Sequence, residues 1–192
     1  NDQRMQAVAL CTKLDYYYYG QNENKLDSIT VWVKKIQKFA KQTNQPKYYY
    51  FVQTGRLITY RLVQGEYNIA LLETEKVLKE AEAEDYKEGI VECYVCLGNI
   101  YIGKQLNNKA LECFLKGIEL SEKFNLEQYN ISQRYSIAAK LLSQKGEFEQ
   151  AEELFKRAEE TANSLQHQLS YKLSLAAHNI RMGEMKKADG LF

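Results

Sequence analysis

Proline is almost absent from this chain, with Pro46 alone among 192 residues, and glycine is sparse at ten. Proline breaks the helical hydrogen-bond ladder and glycine weakens it, so their scarcity favours long uninterrupted helices. A surplus of either charge is also missing: 26 basic and 25 acidic residues leave a net +1. Phosphate-backbone contacts demand a basic footprint, so no nucleic-acid partner is expected for this region. Long apolar runs are lacking as well. Stretches such as Ile29–Val33 and Ile90–Val91 are far too short to cross a bilayer, and the region is not expected to insert in a membrane. No basic flank leads into an apolar segment at Asn1, so no signal peptide is read.

Catalytic groups are equally scarce. His167 and His178 are the only histidines, and neither His-Glu-x-x-His nor Gly-x-Ser-x-Gly occurs. No zinc-protease or serine-hydrolase constellation can therefore be assembled, and no enzyme, metal or cofactor is expected. A structural or surface role is expected for both histidines. The chain lacks an initiator methionine and stops at Phe192, four residues after Ala188 in a helical pattern. That predicts a piece of a longer protein.

What is present is a phrase that returns. It reads Gly65-Glu66-Tyr67-Asn68-Ile69-Ala70, then Gly146-Glu147-Phe148-Glu149-Gln150-Ala151, then Gly183-Glu184-Met185-Lys186-Lys187-Ala188. A weaker copy runs from Gln105 to Ala110, and the four alanines are spaced by 40, 41 and 37 residues. Such a period, punctuated by a turn and flanked by apolar-periodic segments, marks a helical repeat array. Glycine closes one helix in the left-handed conformation, glutamate suits the positive first turn of the next, and alanine lets two helices approach.

Apolar periodicity then predicts helices over about 2–19, Asn22 or Asn24 to Phe39, 47–64, 66–84, 86–104, 107–124, 126–145, 147–165 and 167–182, with another from Glu184. The polar stretch Lys41–Gln45 before Pro46 is read as a break. The expected fold is all-α, as stacked antiparallel hairpins in a single domain over 1–192. A degenerate first repeat covers 1–45. Further repeats cover 46–85, 86–125, 126–166 and, incomplete, 167–192.

Three motifs invite chemistry. Gly98 to Lys104 has phosphate-loop spacing, but Gln105 stands where serine or threonine should hold magnesium, and Ile100, Tyr101 and Ile102 belong inside a helix. Cys93 and Cys96 form a Cys-x-x-Cys about two turns inside a helix rather than at its N-terminus, so helix packing is expected. Fifteen tyrosines, including Tyr16–Tyr19 and Tyr48–Tyr50, cover every face of their helices; most should pack, and the rest should present hydroxyls to a groove.

Ala110, Phe114 and Gly117, then Ala151, Phe155 and Ala158, follow a small–aromatic–small pattern in the second helices of two hairpins. The first helix of the earlier hairpin has Leu97-Gly98 followed by Tyr101. With these residues the chain resembles the tetratricopeptide repeat family, well over 47–192, with its specific motifs in the third and fourth hairpins, and weakly over 1–46. The family's closing proline is missing and the repeats are longer than its common unit. Long repeats of this kind, and the Lys47-Tyr-Tyr-Tyr run, are similar to the sensor regions of Bacteroidetes-type histidine kinases and related membrane-tethered regulators. The first resemblance implies a right-handed superhelix whose concave groove binds a protein or peptide segment. The second implies a sensor or regulatory region outside the inner membrane. Four cysteines without a disulfide pattern favour a reducing compartment instead.

Groove positions implied by the resemblance are Glu92 and Asn99, then Gln133, Ser136, Lys140 and Gln144, then Ser170 and Arg181; Val52 and Thr59 fall at the corresponding places earlier. Gln133, Ser136, Lys140 and Gln144 form a polar stripe at steps of three and four on an otherwise apolar helix. The lysine–asparagine pair with which some family members grip a terminal carboxylate is not matched. The alternative reading is a structural scaffold that self-associates without a dedicated peptide ligand.

Overall fold

Residues 2–20, 25–126 and 131–191 are described by the computed structural model of the chain. They divide into two compact units, Asn1–Lys104 and Gln105–Phe192. The first contains α1 (Gln3–Tyr19), α2 (Lys25–Thr43), α3 (Pro46–Val52), a π-helical segment (Gln53–Ile58), α4 (Thr59–Val63), α5 (Tyr67–Ala83) and α6 (Lys87–Gly103). The second contains α7 (Asn107–Lys123), α8 (Ile131–Lys145), α9 (Phe148–Glu160), α10 (Leu165–Arg181) and α11 (Met185–Asp189). No described residue lies in a strand. The fold is all-α, with consecutive helices packed as pairs inside each unit.

The turns explain why the pairs form. Gly65, Gly146 and Gly183 take φ of 75°, 88° and 78°, and Asn44, Asp85 and Asn125 take φ of 51°, 54° and 55° without being glycine. After each of them, the next amide reaches back to a carbonyl five residues earlier. Glu66 donates to Arg61 at 2.9 Å, Tyr86 to Ala81 at 2.9 Å, Leu126 to Ser121 at 2.8 Å and Glu147 to Leu142 at 3.0 Å. Gln45 donates likewise to Ala40 and Glu184 to Asn179. This 6→1 bond satisfies an orphan carbonyl at the helix end and turns the chain sharply, so each helix folds back on its predecessor. Asparagine and aspartate enter the left-handed region more readily than other side chains, which is how the turns at Asn44, Asp85 and Asn125 close without glycine.

One turn beyond the reversal sits the small residue that sets the approach. Ala70, Ala110 and Ala151 have no exposed surface, and Ala188 is buried. In the first unit the core gathers Tyr50, Ile58, Ala70, Val77, Ala81, Cys93, Cys96 and Ile100. A second cluster of Leu14, Ile29, Val33, Ile36 and Val52 joins α1, α2 and α3. At Gly89 a Cβ would lie 2.7 Å from the Tyr86 ring and 2.9 Å from that of Tyr50, so only glycine fits beside these rings, which stack at 4.8 Å.

Several boundaries differ from the sequence reading. The helix expected to run to Leu165 ends at Glu160, because the Ser164 hydroxyl accepts the His167 amide and caps α10, which starts at Leu165. The break expected over Lys41–Gln45 is shorter: α2 continues to Thr43 and Pro46 opens α3. The helix expected over 47–64 carries the π-helical segment, in which the Thr59 hydroxyl donates to the Thr54 carbonyl at 2.8 Å. The expected caps Asn22 and Asn24 lie outside the described residues, as does the stretch 127–130 ahead of α8.

Gly146→Ala should lower unfolding stability by about 1 kcal/mol, since a Cβ opposes the left-handed turn, whereas Asp85→Gly should leave it unchanged or raise it. Urea titration of the two variants beside the parent protein checks the pair. Equal losses would show that the turn conformation is not the limiting constraint.

Candidate partner-binding surface

In the second unit, α8 is packed by α7, α9 and α10. Ten of its fifteen residues are buried, so whatever remains exposed on it is a narrow strip. A shared anchor sets its rotation. The Tyr135 hydroxyl donates to Glu122 at 2.7 Å, Arg157 pairs with the same carboxylate at 2.7 Å, and the Arg157 guanidinium lies 4.5 Å from the Tyr135 ring centroid. The buried Arg134 donates to the Ser121 hydroxyl at 2.8 Å. With that face turned towards α7, Gln133, Lys140 and Gln144 fall on the opposite side and are exposed.

The remaining groove positions are divided. Ser170 is half-buried and Arg181 exposed on α10, and the Gly146-to-Gly183 offset aligns them with Gln133 and Gln144 of α8. Ser136 is not on the exposed strip: it is 1 % exposed, and its hydroxyl finds no hydrogen-bond partner among the described residues. A step of three carries it round the helix away from Gln133 and towards Ser132 and Ser143, which are buried too. In the first unit, Glu92 is half-buried and Asn99 exposed on α6. Val52 is fully buried in the α1–α2–α3 cluster.

His178 is a core residue. Its Nδ1 lies 2.9 Å from the Ser143 hydroxyl, its ring meets Phe148 and Phe155 at centroid distances of 5.8 and 5.4 Å, and none of it is exposed. Its Nε2 is 3.8 Å from the exposed carboxylate of Glu152. The sequence signal for this packing was available: His178 stands seven residues after Tyr171, and both turn inwards.

The tyrosine runs are tied into the first unit. Tyr49 hydrogen-bonds Glu80, and the Tyr50 hydroxyl donates to Glu84 at 2.8 Å, fastening α3 to α5 and its C-cap. Burial first, and the carboxylate partner second, push both phenols above their ordinary range. Tyr16 and Tyr19 stay exposed. Lys104, the apparent phosphate-loop lysine, caps α6 and donates to Asn68, while Gly98 to Gly103 is continuous helix. Cys93 and Cys96 are buried free thiols inside α6, with Cys96 Sγ 3.9 Å from the Thr54 carbonyl. Burial pushes Cys93 up to about 12 and Cys96 well above its usual value. Among the described residues, no three His, Cys, Asp or Glu side chains stand close enough to share a metal ion, and no helix is long and apolar enough to cross a membrane.

Residues 91–124 and 132–164 match the tetratricopeptide repeat family. The first match takes in most of α6 and all of α7; the second takes in most of α8 and all of α9. The chain therefore carries tetratricopeptide repeats, and these suggest a protein–protein interaction module. No curated protein matches the chain.

Two outcomes follow from the buried thiols. Raising the Cys93 value from 9.0 to about 12 lowers its thiolate fraction by about a thousandfold at pH 8, so iodoacetamide should label Cys93 at least that much more slowly in the native protein than in urea. The folded state holds this proton while the unfolded chain, titrating near 9, releases it. Stability is thus intact below pH 9 and falls as pH rises towards 12, which denaturant titrations across that window will show.

Proposed function

We propose that this chain is a non-catalytic, partner-binding region of a bacterial signalling or transcription-regulating protein. Its ligand is a protein or peptide segment that lies against Gln133, Lys140 and Gln144 of α8, with Ser170 and Arg181 of α10 continuing the surface. The observation that carries this reading is the exposure of three polar side chains along one line of a helix buried almost everywhere else. Lys140 has no ion-pair partner among the described residues, so its charge is available to a carboxylate brought by the partner. Gln133 and Gln144 each offer an amide donor and an amide acceptor, which suits the backbone of an extended peptide. Glu92 and Asn99 of α6 supply a comparable pair in the first unit. A regulatory role follows the resemblance to sensor regions: occupancy of the surface would be passed on through the nearest-neighbour packing of the repeats.

A random peptide library displayed on phage and panned against the protein tests this. Enriched peptides should carry carboxylates and bind about tenfold more weakly to the Lys140→Ala, Gln144→Ala variant, while its thermal midpoint stays within a degree of the parent's. Peptides that bind parent and variant equally would move the contact elsewhere. A matching loss of thermal stability would mean that the strip is part of the packing.

A further inference from the structure

The near-neutral total charge hides an uneven distribution. Residues 1–64 carry ten basic and four acidic side chains, whereas residues 65–192 carry sixteen and twenty-one. Part of the basic excess is gathered on one line of α2. Lys34, Lys38 and Lys41, at steps of four and three, are all exposed, and Val31, 50 % exposed, stands one turn ahead of Lys34. The opposite face, Ile29, Val33, Ile36 and Ala40, is buried where α2 packs against α1, α3 and the π-helical segment. None of the three lysines has a carboxylate partner among the described residues.

The repeat shows how unusual that line is. The left-handed turns at Asn44, Asp85 and Asn125 are forty-one and forty residues apart, and the buried positions keep step with them. Ile29, Val33, Ile36 and Ala40 of α2 correspond to Ala70, Thr74, Val77 and Ala81 of α5, which are buried as well. In that register the three lysines correspond to Glu75, Lys79 and Glu82 of α5, and to Leu115, Glu119 and Glu122 of α7. Glu75, Lys79 and Glu82 are exposed although hairpins precede and follow α5 in the chain, so the openness of this line does not depend on where the chain begins. Mixed signs satisfy solvation, and of these three helices α2 alone carries a single positive sign. The helix dipole accounts for Lys41 in the last turn, but not for Lys34 or Lys38.

We propose that the Lys34–Lys38–Lys41 line of α2 is a contact for an anionic lipid surface, bound from outside without insertion. Lysine is a compact charge on a flexible stem, suited to a diffuse layer of headgroups, whereas a single carboxylate is better read by the fork of arginine. A line on the outer side of one helix can meet a plane, while a peptide is held in a groove or along a sheet edge. Val31 adds an aliphatic side chain at the headgroup boundary, as in helices that lie on membranes. This contact is separate from the Gln133–Lys140–Gln144 strip and does not depend on it.

Flotation of the intact chain with vesicles tests this. Vesicles of equal parts phosphatidylglycerol and phosphatidylcholine should carry the protein at about 50 mM salt and release most of it at about 500 mM. Pure phosphatidylcholine should carry none. Each lysine near such a surface multiplies the partition about fivefold, so Lys34→Gln, Lys38→Gln and Lys41→Gln together should weaken binding at least tenfold. The three side chains are exposed, so the circular dichroism and thermal midpoint of that variant should match the parent's. A second variant with Lys79→Gln, Lys156→Gln and Lys186→Gln has the same net charge and should bind as the parent does. The proposal is overturned if the two variants bind alike, if phosphatidylcholine alone carries the chain as well, or if salt has no effect. Failure of the anionic vesicles to carry the parent overturns it too; retention of a polyglutamate peptide by the same three lysines would then make an acidic protein the occupant.

Discussion

Most of the described reversals in these units depend on a left-handed residue at the end of a helix, followed by an amide that bonds the carbonyl five positions back. That bond fixes where one helix stops, how sharply the chain turns, and which face the next helix presents. Gly65, Gly146 and Gly183 make the conformation cheap; Asp85 and Asn125 reach it with a Cβ. The following alanine can then sit at zero exposure against its neighbour, and the aromatic ring a turn later, Phe114 or Phe155, fills the space between helices. Local backbone chemistry and close packing thus act in series, and neither would align the helices alone.

Several polar groups inside these helix pairs are matched, although the buried Ser136 hydroxyl finds no partner among the described residues. Glu122 serves Tyr135 and Arg157 together, and Arg134 is shielded but bonded to Ser121. In the first unit, Tyr49 and Tyr50 reach the carboxylates of Glu80 and Glu84. A buried donor that keeps its partner costs little, and one that loses it costs about 1–3 kcal/mol. These pairings resist rotation of one helix against another. Holding α8 in one rotation is what leaves a single polar strip outside.

The fold was largely legible in the residues. The period of 37 to 41 residues, the scarcity of proline and the apolar rhythm suffice for an all-α array of hairpins, because helix periodicity and turn chemistry are local. Boundaries were less so. The early end of α9 depends on the Ser164 cap outcompeting one more helical turn, and the π-helical segment in α3–α4 has no mark that sequence periodicity can register. The surface was legible in part. Gln133, Lys140 and Gln144 stand exposed on one line, but Ser136, three residues from Gln133, went under, since a step of three drifts by about sixty degrees around the helix. A structural or surface role for His178 and packing for most tyrosines were expected from the residues, but their partners, Ser143 for His178 and Glu80 and Glu84 for Tyr49 and Tyr50, come from other elements.

What the sequence determined by itself is the class of architecture and its register: the Gly-Glu-x-x-x-Ala phrase carries the turn and the close contact within six residues, so no distant information is needed. What only the tertiary structure decided is the fate of each polar side chain. Serine is buried on α8 against its hydropathy, because α9 and α10 close over it. Burial is a property of pairs of elements, and a single helix, however clear its pattern, specifies only one half of each pair.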